Sequence, residues 1–144
     1  MNGDDAAGVL VVRSLQVICE KRNDLLLVEG GIAPENFSGQ LRRFKPDLVL
    51  MVDAADFGGE PGEVSWIEPG QIDGFSASTH SLPPSMLADF LVHEIGCEVC
   101  FLGIQAVSLE FGQPLSGAVR KACRQITSEV KKNLSRPVGS MGDA

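Results

Sequence analysis

Helix-like and strand-like segments alternate along the 144-residue chain. That alternation predicts an α/β fold: a three-layer sandwich whose twisted, mostly parallel sheet is flanked by helices. Three observations carry the prediction. Runs such as Leu48 to Val52 are apolar on both faces, as strands covered on both sides must be. The stretches between such runs carry apolar residues at helical spacing. Asp, Pro and Gly punctuate the expected helix starts and strand ends. The predicted order is helix, strand, helix, strand, strand, helix, strand, helix.

The first helix follows Gly3-Asp4-Asp5 and carries Val9, Leu10, Val12, Leu15 and Ile18 to about Lys21. Asp4 or Asp5 caps it, since a carboxylate accepts bonds from the free N–H groups of a helix start. Leu25 to Val28 is a short apolar run before Glu29-Gly30-Gly31, which reads as a buried strand and a turn. Pro34-Glu35 opens a second helix, with Phe37, Leu41 and Phe44 on one face, and Lys45-Pro46 ends it. Leu48 to Val52 then reads as the central strand, with Asp53 at its end. Phe57 to Gly62 is turn material, and Glu63 to Glu68 alternates as an edge strand. A polar loop over 69–82 contains His80. Pro83-Pro84 start a helix carrying Met86, Leu87, Phe90, Leu91 and Ile95, with His93 on its surface. Val99 to Gln105 is an apolar strand. Pro114 starts the last helix, striped by Val119, Ala122, Ile126 and Val130. One domain over 1–134 and a flexible tail over 135–144 are expected.

Composition narrows the partners. Lys and Arg number 12 against 19 Asp and Glu, so the formal charge is −7. With no basic stripe, nucleic acid and anionic membrane surfaces are poor partners. No apolar run approaches the roughly 20 residues that span a bilayer. Cys19, Cys97, Cys100 and Cys123 are too few for a disulfide scaffold and read as reduced thiols of a cytoplasmic protein. Cys97-Glu-Val-Cys100 has redox-motif spacing, but residues three apart on a strand face opposite ways. Gly74-Phe-Ser-Ala-Ser78 lacks the last glycine of a serine-hydrolase elbow. Neither a P-loop nor a dinucleotide fingerprint is present.

Sites in open α/β sheets gather at the carboxyl ends of strands. Asp5 at the first helix start, Asp53 after the apolar run and His80 in the long loop all fall there. Two carboxylates and an imidazole form a donor set for a borderline divalent ion such as nickel or zinc. Alternatively the two aspartates share a proton and activate water. Each residue also has an ordinary reading: a helix cap for Asp5, a solvated strand end for Asp53, a hydrogen-bonded turn residue for His80.

Five segments, in order, resemble the NiFe-hydrogenase maturation proteases, above all the branch serving hydrogenase-3-type enzymes. They are Gly3-Asp4-Asp5-Ala6-Ala7-Gly8; Glu29-Gly30-Gly31 with Ala33-Pro34-Glu35-Asn36; Val52-Asp53-Ala54-Ala55-Asp56; Thr79-His80-Ser81-Leu82-Pro83; and Phe101-Leu102-Gly103-Ile104-Gln105. The resemblance implies an endopeptidase, aspartic-type by the family's convention, that trims a C-terminal extension from a large-subunit precursor. It implies that nickel arrives with the precursor, with other divalent ions as substitutes, and that Asp5, Asp53 and His80 serve as metal-binding and catalytic residues. A monomer whose partner is that precursor is expected. The alternatives are a non-catalytic nickel-binding chaperone of the large subunit and an inactive truncated member. Family members begin with an apolar strand and a Gly-x-Gly-Asn turn, whereas here only Met1-Asn2 precede Gly3. The expectation is therefore a missing first strand, from a late start or a shortened chain. Each neighbouring group left unpaired and buried would cost about 1–3 kcal/mol.

Overall fold

The computed structural model describes residues 7–19, 22–29, 37–68, 70–71, 83–107 and 115–134. Helix α1 spans Ala7–Cys19 and α2 spans Ser38–Phe44, followed by strands β1, Leu48–Ala55, and β2, Val64–Trp66. Helix α3, Pro84–Phe90, runs on into a single π-helical turn, Leu91–Ile95, before β3, Glu98–Gln105, and α4, Gly117–Leu134.

The sheet has the order β1-β3-β2. β1 and β3 are parallel over eight matched pairs, from Leu48 opposite Glu98 to Ala55 opposite Gln105. β2 joins β3 antiparallel, as the alternating Glu63 to Glu68 segment predicted for an edge. Three further backbone bonds lengthen that pairing, Gly62 N–H to Gln105 O at 2.9 Å, Gln105 N–H to Glu63 O at 2.8 Å and Ile67 N–H to Phe101 O at 3.0 Å. The sheet is thus mixed but mainly parallel.

Alternation of side chains sorts the two faces. Val52, Ala54, Leu102 and Ile104 face α1 and α4, whose Ala7, Val11, Leu15, Val119, Ala122, Cys123 and Ile126 complete the main core. Val49, Met51 and Val99 face the other way, against Leu41 of α2 and Leu87, Leu91 and Ile95 of α3 and its π turn. Helices on both faces of one sheet make the three-layer arrangement that the alternation of elements predicted.

Four details differ from the sequence reading. The buried stripe of α1 is Ala7, Val11 and Leu15, with Leu10 packed beside it, so the stripe is turned from the expected one and shares Leu10 and Leu15 with it. Residues 25–29 form no strand. They dock by side chains instead: Leu27 packs on the main core, and Glu29 pairs with Arg13 of α1 at 3.1 Å. In the sheet of the described residues, Leu48 to Val52 heads an outer strand rather than the central one. Among the described residues β1 pairs only with β3, and Leu48 is 52% exposed, because the helices cover only the carboxyl half of that face. The central position belongs to β3, whose Phe101 to Gln105 are all buried. The last helix starts at Gly117, later than the expected start at Pro114, and Ser116 caps it, its Oγ accepting from Val119 N–H at 3.3 Å. Pro114, Pro34-Glu35 and the 135–144 segment lie outside the described residues.

Candidate functional site

Asp53 sits inside β1, two residues short of its end, because Ala54 and Ala55 continue the ladder with β3. Both alanines are wholly buried, and Asp53 itself is 7% exposed. It is therefore no solvated strand end. Its place in the alternation puts it on the face that carries Val49, Met51 and α3. Gly103 is its partner across the ladder. A Cβ on Gly103 would meet Ile67 Cδ1 at 2.3 Å. The bare glycine thus lets Ile67 fold over the sheet beside Asp53.

The start of α1 closes the other side. A Cβ on Gly8 would stand 2.3 Å from the Val52 carbonyl oxygen and 4.0 Å from the Asp53 Cα. Only a glycine lets the first helical turn rest on the Val52–Asp53 peptide. The thiol of Cys123 donates to Ala7 O at 3.6 Å and ties that same turn to α4.

At the carboxyl end of β3, buried Gln105 holds the segment leaving β1. Its Oε1 accepts from Phe57 N–H at 3.0 Å and Gly59 N–H at 3.1 Å. Its Nε2 donates to Asp56 Oδ1 at 3.2 Å and to Ala106 O at 3.1 Å. Sequence reasoning gave Gln105, Gly8 and Gly103 no role. A polar residue closing an apolar strand and a glycine in a helix's first turn were the available signals.

Of the three expected site residues, Asp53 alone is described; Asp5 and His80 lie outside the described residues, as do Asp4, Gly30-Gly31 and the Gly74 to Ser78 segment. Asp5 precedes α1 by two residues of chain, and His80 precedes Pro83, at the start of α3, by three. Among the described residues, no group of three or more His, Cys, Asp and Glu side chains is placed to hold a metal ion. Cys97 lies just before β3, buried, its thiol donating to Leu91 O at 3.6 Å. Burial pushes its pKa up and keeps it protonated. Cys100 is half-buried on β3, and His93 is exposed on the π turn. No helix among the described residues is long and apolar enough to cross a membrane.

A family model described as a hydrogenase maturation protease, HycI, matches residues 9–133. The hydrogenase 3 maturation protease of Escherichia coli K12 is 36% identical over 127 residues, which is 88% of this chain and 80% of that one. A putative hydrogenase maturation protease of Methanocaldococcus jannaschii is 33% identical over 83% of this chain and 74% of its own. The crystal structure of the NiFe-hydrogenase maturation protease HycI from Thermococcus kodakarensis superposes with a TM-score of 0.82 at 33% identity, over 94% of this chain and 86% of that one. The solution structure of the endopeptidase HycI from E. coli superposes with a TM-score of 0.78 at 34% identity, over the same shares.

Proposed function

The chain belongs to the hydrogenase maturation protease family and is an endopeptidase, and from that premise we propose that it trims the C-terminal extension of a nickel-loaded hydrogenase large-subunit precursor. Asp53 is the residue on which the site is built. The observation supporting this is a carboxylate buried to 7% exposure near the carboxyl end of a parallel strand. Charged side chains are seldom buried so far unless they are paired, and ligands of such sheets bind at the end where this one lies.

Asp5 and His80 complete the proposed set. Asp5 stands two residues before Ala7, and the Ala7–Gly8 turn rests against the Val52–Asp53 peptide. His80 stands three residues before Pro83, and α3 packs on Val49 and Met51, which share the face of β1 that carries Asp53. Two carboxylates and one imidazole suit a borderline divalent ion. In this reading nickel is part of the substrate, brought by the precursor, and the chain offers oxygen and nitrogen donors to its open side. Recognising the ion confirms that metal insertion is complete before the tail is cut. A carboxylate of this set also accepts the proton of the attacking water and returns it to the leaving amine.

Asp53→Asn keeps the shape of the side chain and removes its charge. Cleavage of the nickel-loaded precursor, followed by gel mobility, is expected to slow about 100-fold or more. Processing by the variant at the wild-type rate would remove Asp53 from the site.

A further inference from the structure

Gln105 ends β3 opposite Ala55, and its side chain is 6% exposed. A glutamine amide offers two donor hydrogens and an oxygen with two lone pairs. All four are engaged: the oxygen by Phe57 and Gly59, the nitrogen by Asp56 and Ala106. The backbone is engaged as well, Gln105 N–H donating to Glu63 O at 2.8 Å and Gln105 O accepting from Gly62 N–H at 2.9 Å. One residue therefore grips both ends of the connection from β1 to β2. That connection starts three residues after Asp53, and its Asp56, Gly58, Glu60 and Pro61 are exposed. A peptide approaching the carboxyl ends of β1 and β3 meets this segment beside Asp53.

We infer that Gln105 is a positioning residue for the peptidase reaction: its amide clamps Asp56–Gly59 into a fixed wall along which the precursor's tail lies. The inference rests on the function proposed above and assigns this segment to substrate binding. Asp53 does not depend on the clamp, because the ladder between β1 and β3 holds its backbone. Without the clamp the wall must be ordered each time substrate binds, and ordering opposes binding. The loss therefore falls on KM and leaves kcat in place.

Two variants test this. Gln105→Leu removes all four side-chain bonds at similar volume. Gln105→Glu keeps the two acceptor bonds, loses both donors and sets a second carboxyl beside Asp56. Steady-state cleavage of nickel-loaded precursor is measured together with hydrogen exchange at the Phe57 and Gly59 amides. For Gln105→Leu, KM is expected to rise about tenfold with kcat within about twofold, and both amides to exchange about tenfold faster. Gln105→Glu is expected to raise KM and speed exchange in the same direction, because its carboxylate faces Asp56 Oδ1 and Ala106 O, and it decides the matter if Gln105→Leu does not fold. A fall in kcat at unchanged KM, as loss of folded enzyme produces, overturns the inference. So does unchanged exchange at both amides. A wild-type protein that leaves the precursor uncut overturns the proposed function and this inference together; wild-type cleavage with unaltered KM in the variants overturns the inference alone.

Discussion

Gly8 and Gly103 flank Asp53 with the same nominal clearance and opposite tolerance. A Cβ at either would meet a heavy atom at 2.3 Å, but at Gly8 the atom is the Val52 carbonyl oxygen and at Gly103 it is Ile67 Cδ1. The Val52 peptide is locked in a ladder and cannot withdraw, whereas the end of an isoleucine can rotate. Alanine would favour the helix at position 8 by about 1 kcal/mol, too little to offset backbone overlap. Gly8→Ala is expected to destabilise by about 3 kcal/mol and Gly103→Ala by about 1 kcal/mol, read by urea denaturation. Equal losses would mean that α1 is free to shift away from β1. The glycine in a helix's first turn was a signal, but what it meets was illegible in the sequence, because a close approach involves two distant stretches of chain and only one of them shows a glycine. Asp53 was legible as a candidate but misplaced at the strand's end. Ala54 and Ala55 are too small to extend an apolar run, yet they carry the strand two residues further.

The elements themselves were read from spacing wherever one face dominates the pattern. The stripe Val119, Ala122, Ile126 of α4 is the buried stripe observed, with Cys123 and Thr127 beside it. Thr127 satisfies its hydroxyl on Cys123 O at 2.8 Å, so it lies buried at little expense. The Leu25 to Val28 run misled, because apolar content says that a segment is covered but not that its backbone finds a ladder. Arg22 shows how that segment is held: it bonds Asp24 through both carboxylate oxygens and donates to Leu134 O at the end of α4, 2.8 Å away. The order of strands also escaped the sequence, since β1 and β3 are similarly apolar and their pairing depends on contacts fifty residues apart. At this scale the cap of α4 is the sharpest test. Ser116→Ala leaves the Val119 N–H without its oxygen. It is expected to destabilise by about 1 kcal/mol and lower Tm by about 3 °C, read by calorimetry. No change would mean that water replaces the hydroxyl without loss.

Over the whole molecule, two helical layers hold a short sheet whose carboxyl ends are narrowed on one side by α1 and on the other by the Gln105-held segment. The fold class followed from composition and the alternation of elements. Of the three candidate site residues only Asp53 lies among the described residues, and its burial depends on packing that the linear pattern does not display. Asp53 shows this best: sequence alone allowed a solvated strand end, and packing made it a buried carboxylate. The acidic balance of −7 favours approach by a basic or metal-bearing partner over nucleic acid. The measurement that reaches the central claim most directly is the mass of purified large-subunit precursor after incubation with this protein, with and without nickel loaded. One shortened product, lacking a C-terminal peptide and formed only from nickel-loaded precursor, is the result expected. An unshortened precursor under both conditions, or equal cleavage without nickel, would contradict it.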